Sequence, residues 1–412
     1  MTRPNITLLV TLTGRDRPGV TSRLFTELSG HELTVLDVEQ VVIRGHLVLG
    51  VLLACPQSPD LTAIHRQVTS MSEDLGMNAE ITMGSGERAR QRGRLHVTVL
   101  GSPLTPAVIA AIAGRVAASG ANIDKIGRLA RTPVTCIELE VSGADPDALR
   151  TALARDSVGL GADIAVQRGG LHRRAMRLVV MDVDSTILQD EAIDVLAEQA
   201  GCADEVAALT AAAMRGEIDY AQALRERVAL LAGLEASALD ELIPKLRLTP
   251  GARTLVRTLK RLGYRCAVVS GGFTQVTDWL TTELGLDYAA ANTLEVASGR
   301  LTGRITGELI DRPGKERMLR EFAVRAGVPL SQTVAVGDGA NDLDMIAAAG
   351  LGIAFNAKPA VRSAADAAVN VPHLDVILYL LGISREDVEA ADAADVDLAA
   401  SAQGPAGRLP PR

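Results

Sequence analysis

Four short apolar runs constrain this chain more than any other feature. RLVVMD (177–182), RCAVVSGG (265–272), TVAVGDG (333–339) and LGIAF (351–355) lack the alternation of a one-sided strand, and helical stretches separate them. A strand that is apolar at successive positions is buried on both faces, the pattern of a parallel sheet covered by helices on either side. In such sheets the ligand sits beyond the carboxyl ends of the strands. Those ends carry Asp182, Ser270 and Asp338.

The residues around these ends share one kind of chemistry. Asp184 follows Asp182 at once, Gly271 and Gly272 follow Ser270, Lys315 precedes a helix, and GDGANDLD supplies Asp338, Asn341 and Asp342. Carboxylates this near one another repel unless positive charge stands among them. Acids with one lysine, one hydroxyl and glycine-freed N–H groups suit a hard divalent cation and a phosphate. Mg2+ takes a few oxygen ligands, keeps several waters and often bridges to substrate phosphate.

Between the first two core strands lies a helical insert: AIDVLAEQA, EVAALTAAAMRG, DYAQALRERVALLAGL and ASALDELIPKL, with Asp219 and Ser237 placed as N-caps. A bundle on one crossover reads as a lid over the strand ends. Residues 288–309, with Ser-Gly-Arg at their centre, read as a hairpin flap, and the Ala/Asp/Pro/Gly-rich residues 389–412 as a mobile tail.

The front half follows a different rule. Strands at 6–12, 33–43, 46–54 and 78–83, with helices near 20–30 and 60–75, give the order β-α-β-β-α-β. After an Arg/Gly-rich linker the order returns, with strands near 96–100, 122–130, 134–142 and 163–167 and helices near 106–119 and 146–156. The economical reading is an internal repeat of about 90 residues. In the first copy the loop from Asp16 to Gly19 joins strand to helix, so its N–H groups face a ligand at a helix N-terminus, and a carboxylate suits it. The second copy has GSPLTPAV instead, with Gly101 matching Gly14.

Composition excludes several classes. A net charge of −8 and 2% aromatic residues argue against binding nucleic acid by charge or base stacking. The arginine clusters at 87–94 and 168–177 read as solvated linkers. Four cysteines without CxxC spacing suggest neither zinc nor a disulfide framework, and the six histidines show no metal-pair spacing. The first apolar run is too short for a signal peptide and no stretch spans a bilayer, so no membrane association is expected and the cytoplasm is the expected compartment.

The ordered set D-x-D-S-T, S-G-G, K and G-D-G-x-N-D resembles the haloacid dehalogenase superfamily of phosphatases over about residues 178–380. The resemblance implies a Rossmann-like doubly wound sheet with a helical cap inserted at about 190–248, and a domain spanning 175–388. It implies Asp182 as nucleophile, Asp184 as general acid/base, and Ser270, Gly271 and Lys315 as phosphate-holding groups. Mg2+ would be held by Asp182, Asp184 and Asp338, with Asp342 and Asn341 outside them. Glu191, Met214, Tyr220 and Arg227 fall where such caps meet the amino-acid part of O-phospho-L-serine: Glu191 at the ammonium, Arg227 at the carboxylate. The tyrosine is a small departure, since relatives often carry phenylalanine there. Another phospho-amino acid or small phosphate ester is the alternative substrate, and an amino-acid sensor with an inactive phosphatase scaffold the alternative role. The repeats, at 1–86 and 94–169, resemble the ACT family of ferredoxin-like amino-acid-binding domains, which implies a homodimer and feedback by L-serine through Asp16, Gly19 and Gly101.

Overall fold

The computed structural model describes residues 6–55, 60–85, 94–170, 173, 175–214 and 217–402. The chain forms two compact units, 1–90 and 91–412.

In the first unit, strands β1 (Ile6–Arg15), β2 (Thr34–Ile43), β3 (His46–Ala54) and β4 (Asn78–Ser85) form one antiparallel sheet in the order β2-β3-β1-β4. Alternation sets its inner face: Leu8, Val10 and Leu12 point into a core with Leu24, Leu28, Ile64 and Val68 from the two helices. Leu9 and Val48 point the other way and stay exposed, as do Val41 and Ile43 of the edge strand β2.

The second unit opens with the same design. Strands β5 (Arg94–Gly101), β6 (Asn122–Ala130), β7 (Thr135–Ser142) and β8 (Ala162–Arg168) pair in the order β6-β7-β5-β8 under helices Pro106–Ala118 and Pro146–Leu160. Here the outer sheet face is covered. Leu100, Ala130, Cys136 and Ala165 join one core with Val376, Leu380 and Tyr379.

The remaining strands are β9 (Leu178–Met181), β10 (Arg265–Phe273), β11 (Tyr288–Ala297), β12 (Arg300–Thr306), β13 (Thr333–Gly337), β14 (Leu351–Phe355) and β15 (Ala367–Val369). Their order is β12-β11-β10-β9-β13-β14-β15, parallel except for the β11–β12 hairpin. The first strand is the central one: Val179 and Met181 enter the core on one face, Leu178 and Val180 the core on the other. Asp182 therefore leaves the sheet at its middle. Among the described residues no helix is long and apolar enough to cross a membrane.

The hairpin expected at 288–309 is present: β11 turns back into β12 through Ser298 and Gly299 at positive φ, while its first residues extend the parallel sheet beside β10. Two other expectations need correction. Residues 389–402 are not tail but helix, Arg385–Ala402, held where Arg257 and Arg261 bond Asp392; those after 402 lie outside the described residues. The second arginine cluster is not wholly solvated: Arg173 is buried, paired with Glu138 of β7 and donating to the carbonyls of Tyr379 and Leu380. Of the first cluster, 87–93 lie outside the described residues.

Candidate active site

Asp182 is almost fully buried, and one of its oxygens is already committed. Oδ1 lies 2.6 Å from Lys315 Nζ and accepts the Val183 N–H at 2.7 Å, which leaves Oδ2 for other partners. Lys315 sits on the first turn of helix Arg312–Ala326, where the N-cap Asp311 accepts from Gly314 and sets the start of the helix. The same ammonium donates to Asp342 Oδ1 at 2.6 Å.

The GDG sequence has a steric reason. A methyl at Gly337 would stand 2.4 Å from the Asp342 carboxyl carbon, so only glycine lets that carboxylate fold back over the strand end. Asp342 then accepts the Gly339 N–H at 3.0 Å with its second oxygen. Asp338 receives a 3.4 Å hydrogen bond from Thr186. Burial, then the neighbouring Asp342, pushes the Asp338 carboxyl up to about 6. Burial and Asp342 likewise raise Asp182 well above the usual carboxylate range. Burial opposes the Lys315 charge, but Asp182 and Asp342 outweigh it and hold the lysine protonated.

Asp182, Asp338 and Asp342 each bring an oxygen within 4.8 Å of the others. Three carboxylates share one ammonium, and the surplus negative charge at hard oxygen donors fits a divalent cation.

Asp184 is held from two sides. Ser270 Oγ donates to Oδ2 at 3.0 Å while accepting the Gly272 N–H at 2.7 Å, and the Ala192 N–H donates to Oδ1 at 3.0 Å. Ala192 opens the first cap helix, Ala192–Ala200. Asp184 thus ties the core to the root of the cap.

A cavity of about 630 Å³ lies between the strand ends and the cap, lined by Asp182, Asp184, Gly271, Asp338 and Asn341 below and by Glu191, Tyr220 and Arg227 above. The helix Tyr220–Ala229, capped by Asp219, presents Tyr220, Leu224 and Arg227 on one face by their i, i+4, i+7 spacing. Arg227 is 8% exposed and donates to Thr210 Oγ1 at 3.3 Å. Glu191 opens onto the cavity and accepts from Ser185 at 3.1 Å; desolvation by the walls, then repulsion from Asp184, pushes its carboxyl to about 7. Met214 ends helix Ala203–Met214, and its side chain lies outside what the structure describes.

The structure thus brings Asp182, Asp184, Glu191, Tyr220, Arg227, Ser270, Gly271, Lys315, Asp338, Asn341 and Asp342 to one place. Sequence reasoning missed Arg312, Lys358 and Phe273, which also line the cavity. Arg312 lies three residues before Lys315 on the same helix, and that spacing was the available signal. Asp190, at the root of the cap, is bonded to Arg247 through both oxygens.

The sensor candidates fall in separate units, and each is described within its own. Gly19, at φ 92°, caps helix Val20–Leu28, and open space lies before its α-carbon; Asp16 is exposed beside it. Gly101 faces Leu104, whose atoms would lie 3.1 to 3.4 Å from an added methyl. Packing within its own domain accounts for that glycine.

A doubly wound sheet with this acid pair on its central strand, and a helical cap above, defines a haloacid dehalogenase-type hydrolase. A family model described as haloacid dehalogenase-like hydrolase matches residues 179–347, and two ACT domain models match 6–82 and 95–167. The chain is 62% identical to the phosphoserine phosphatase of Streptomyces coelicolor, over 95% of this chain and 96% of that one. It is 50% identical to phosphoserine phosphatase SerB2 of Mycobacterium tuberculosis, over 95% and 96%. Among solved structures it is similar to a probable phosphoserine phosphatase from Vibrio cholerae, with a TM-score of 0.56 at 34% identity, covering 74% of this chain and 91% of that one. The chain belongs to the phosphoserine phosphatase family.

Proposed function

We propose that this protein hydrolyses O-phospho-L-serine to L-serine and phosphate, the last step of serine biosynthesis. The observation that carries the reading is one cavity with two ends. The buried Asp182–Lys315 pair stands on the core side, and Glu191 and Arg227 stand on the cap side, where an α-ammonium and an α-carboxylate would lie.

The chemistry follows from which oxygens are free. Asp182 Oδ2, the oxygen not held by Lys315 and Val183, attacks phosphorus, and the bond to the seryl oxygen breaks. Asp184 gives that oxygen its proton, so serine leaves neutral at the hydroxyl. A water then attacks the aspartyl-phosphate and loses a proton to Asp184, which restores both carboxyls. Lys315 and the N–H groups of the Ser270–Gly272 loop oppose the charge on the phosphoryl oxygens. Mg2+ suits the donor set of Asp182, Asp338 and the Asp184 carbonyl, with Asp342 behind, and when bound supplies further neutralisation of the phosphate. Glu191 orients the ammonium and Arg227 the carboxylate, while Met214 and Tyr220 close the wall and Asn341 the floor.

The division of labour follows the chain, with residues 175–388 catalytic and the two ACT domains, 1–86 and 94–169, regulatory. L-serine is the proposed effector, at the Asp16–Gly19 loop. The exposed apolar face of the first repeat, with Leu9, Val41, Ile43 and Val48, supports a homodimer through that domain. The cytoplasm is the proposed compartment, in keeping with four free cysteines.

Phosphate release from L-phosphoserine, measured with Mg2+ and with chelator, tests the main reading. The parent protein is expected to turn over only with the cation, and Asp182→Asn not at all. A parent that releases no phosphate under either condition would sink it.

A further inference from the structure

The hydroxyl of Tyr220 reaches from the cap to the loop expected to hold phosphate. A methyl built on Gly271 would stand 2.0 Å from the Tyr220 oxygen and 3.2 Å from the ring carbon that bears it. Gly271 does not adopt a positive φ, so the backbone does not require glycine there. The space its missing side chain leaves is filled by the tyrosine hydroxyl.

The charges around that hydroxyl belong to the reacting centre. Lys315, Arg227, Asp182 and Asp184 all act on it electrostatically. Burial, the largest effect, pushes its pKa up to about 12, so the group stays a donor at any working pH. Among the described residues it has no hydrogen-bond partner. A hydroxyl on a cavity wall with no bond to the protein is free to donate to a ligand oxygen. Neighbouring groups already hold protein partners: Ser270 is bonded to Asp184, Lys315 to Asp182 and Asp342, and Arg227 to Thr210.

We infer that Tyr220 donates a hydrogen bond from its hydroxyl to a non-bridging phosphoryl oxygen of the substrate, adding a cap-borne phosphate contact to those of the core. The inference rests on the phosphatase reading and deepens it. It makes Tyr220 a catalytic residue rather than a wall, because the charge on those oxygens shifts as the phosphoryl group transfers. It also couples cap position to chemistry: the donor is in place only while helix Tyr220–Ala229 lies over Gly271.

Tyr220→Phe removes one oxygen and little else. Its kcat/KM is measured on L-phosphoserine and on p-nitrophenyl phosphate, with inhibition by orthovanadate and calorimetric binding of inorganic phosphate alongside. A donor to phosphate predicts a loss of about tenfold or more on both substrates, with vanadate and phosphate weakened in parallel. Loss on phosphoserine alone, with vanadate and phosphate binding unchanged, would overturn the inference and assign the hydroxyl to the amino-acid part. Kinetics unchanged throughout would overturn it equally. The binding arm reports on folded protein even if turnover is lost. Failure of the phosphatase reading looks different, since the parent itself would then hydrolyse neither ester.

Discussion

At the scale of single residues the site is a problem of unequal charge. Among the described residues Lys315 is the sole ammonium bonded to both Asp182 and Asp342, and all three are buried. Removing one partner from a buried ion pair leaves an uncompensated charge, at a cost of about 3–5 kcal/mol. Lys315→Met should lose that much stability in denaturant titration without added cation, and its turnover should vanish. Adding Asp342→Asn to the same protein should recover part of the stability and none of the turnover. Asp182 and the two glycine phrases were legible in the sequence because each ends an apolar run, and Lys315 because it stands just before a helical stretch. Arg173 and Asp190 were not. Their partners, Glu138 and Arg247, lie 35 and 57 positions away, and no local pattern encodes such a distance.

At the scale of elements the decisive feature is how the cap is joined to the core. Its two stems run side by side: Leu188 bridges Leu248, the Gln189 N–H donates to the Arg247 carbonyl at 2.9 Å, and Arg247 grips Asp190 with its own N–H, Nε and Nη2. The Arg247 hydrogen bond holds the Asp190 carboxyl below the usual range. A lowered carboxylate contributes its stability above the unfolded value, about 3.9, and loses it as pH falls through the folded one. The latch should therefore hold across neutral pH and release only in acid below about pH 4. Arg247 is largely exposed, so the global effect of Asp190→Ala should stay within about 1 kcal/mol. Hydrogen exchange at the amides of Gln189 and Arg247 should nonetheless quicken clearly at pH 7, and slow exchange there in the variant would argue against a latch. Helical periodicity made the cap legible. The pairing of its stems was hidden, because two isolated residues in extended pairing carry no period.

At the scale of the whole molecule, one repeat pattern has been put to two uses. With Gly14 set against Gly101, Leu9, Thr11 and Thr13 of the first copy correspond to His96, Thr98 and Leu100 of the second, and Val48 to Cys136. Val48 is 37% exposed and Cys136 not at all. The difference is the packing of Val376, Tyr379 and Leu380 on the second copy, fastened by Asp163 accepting from Asn370 and by Arg150 beside Asp366. A protein starting at residue 94 should therefore stay monodisperse and active in size-exclusion and phosphate-release assays. One starting at 175 should expose that apolar face and aggregate; equal solubility of the two would show that the second repeat is not needed as cover. The order of the repeats was legible in the sequence, but not which copy was covered, since the patterns of β1 and β5 are alike. The same site in two homologous domains thus answers to different rules of substitution. A polar replacement at Val48 should leave the domain folded and weaken only its pairing, while the matching one at Cys136 should read in a mutational scan as a core lesion, so that a profile averaged over ACT domains would misjudge both.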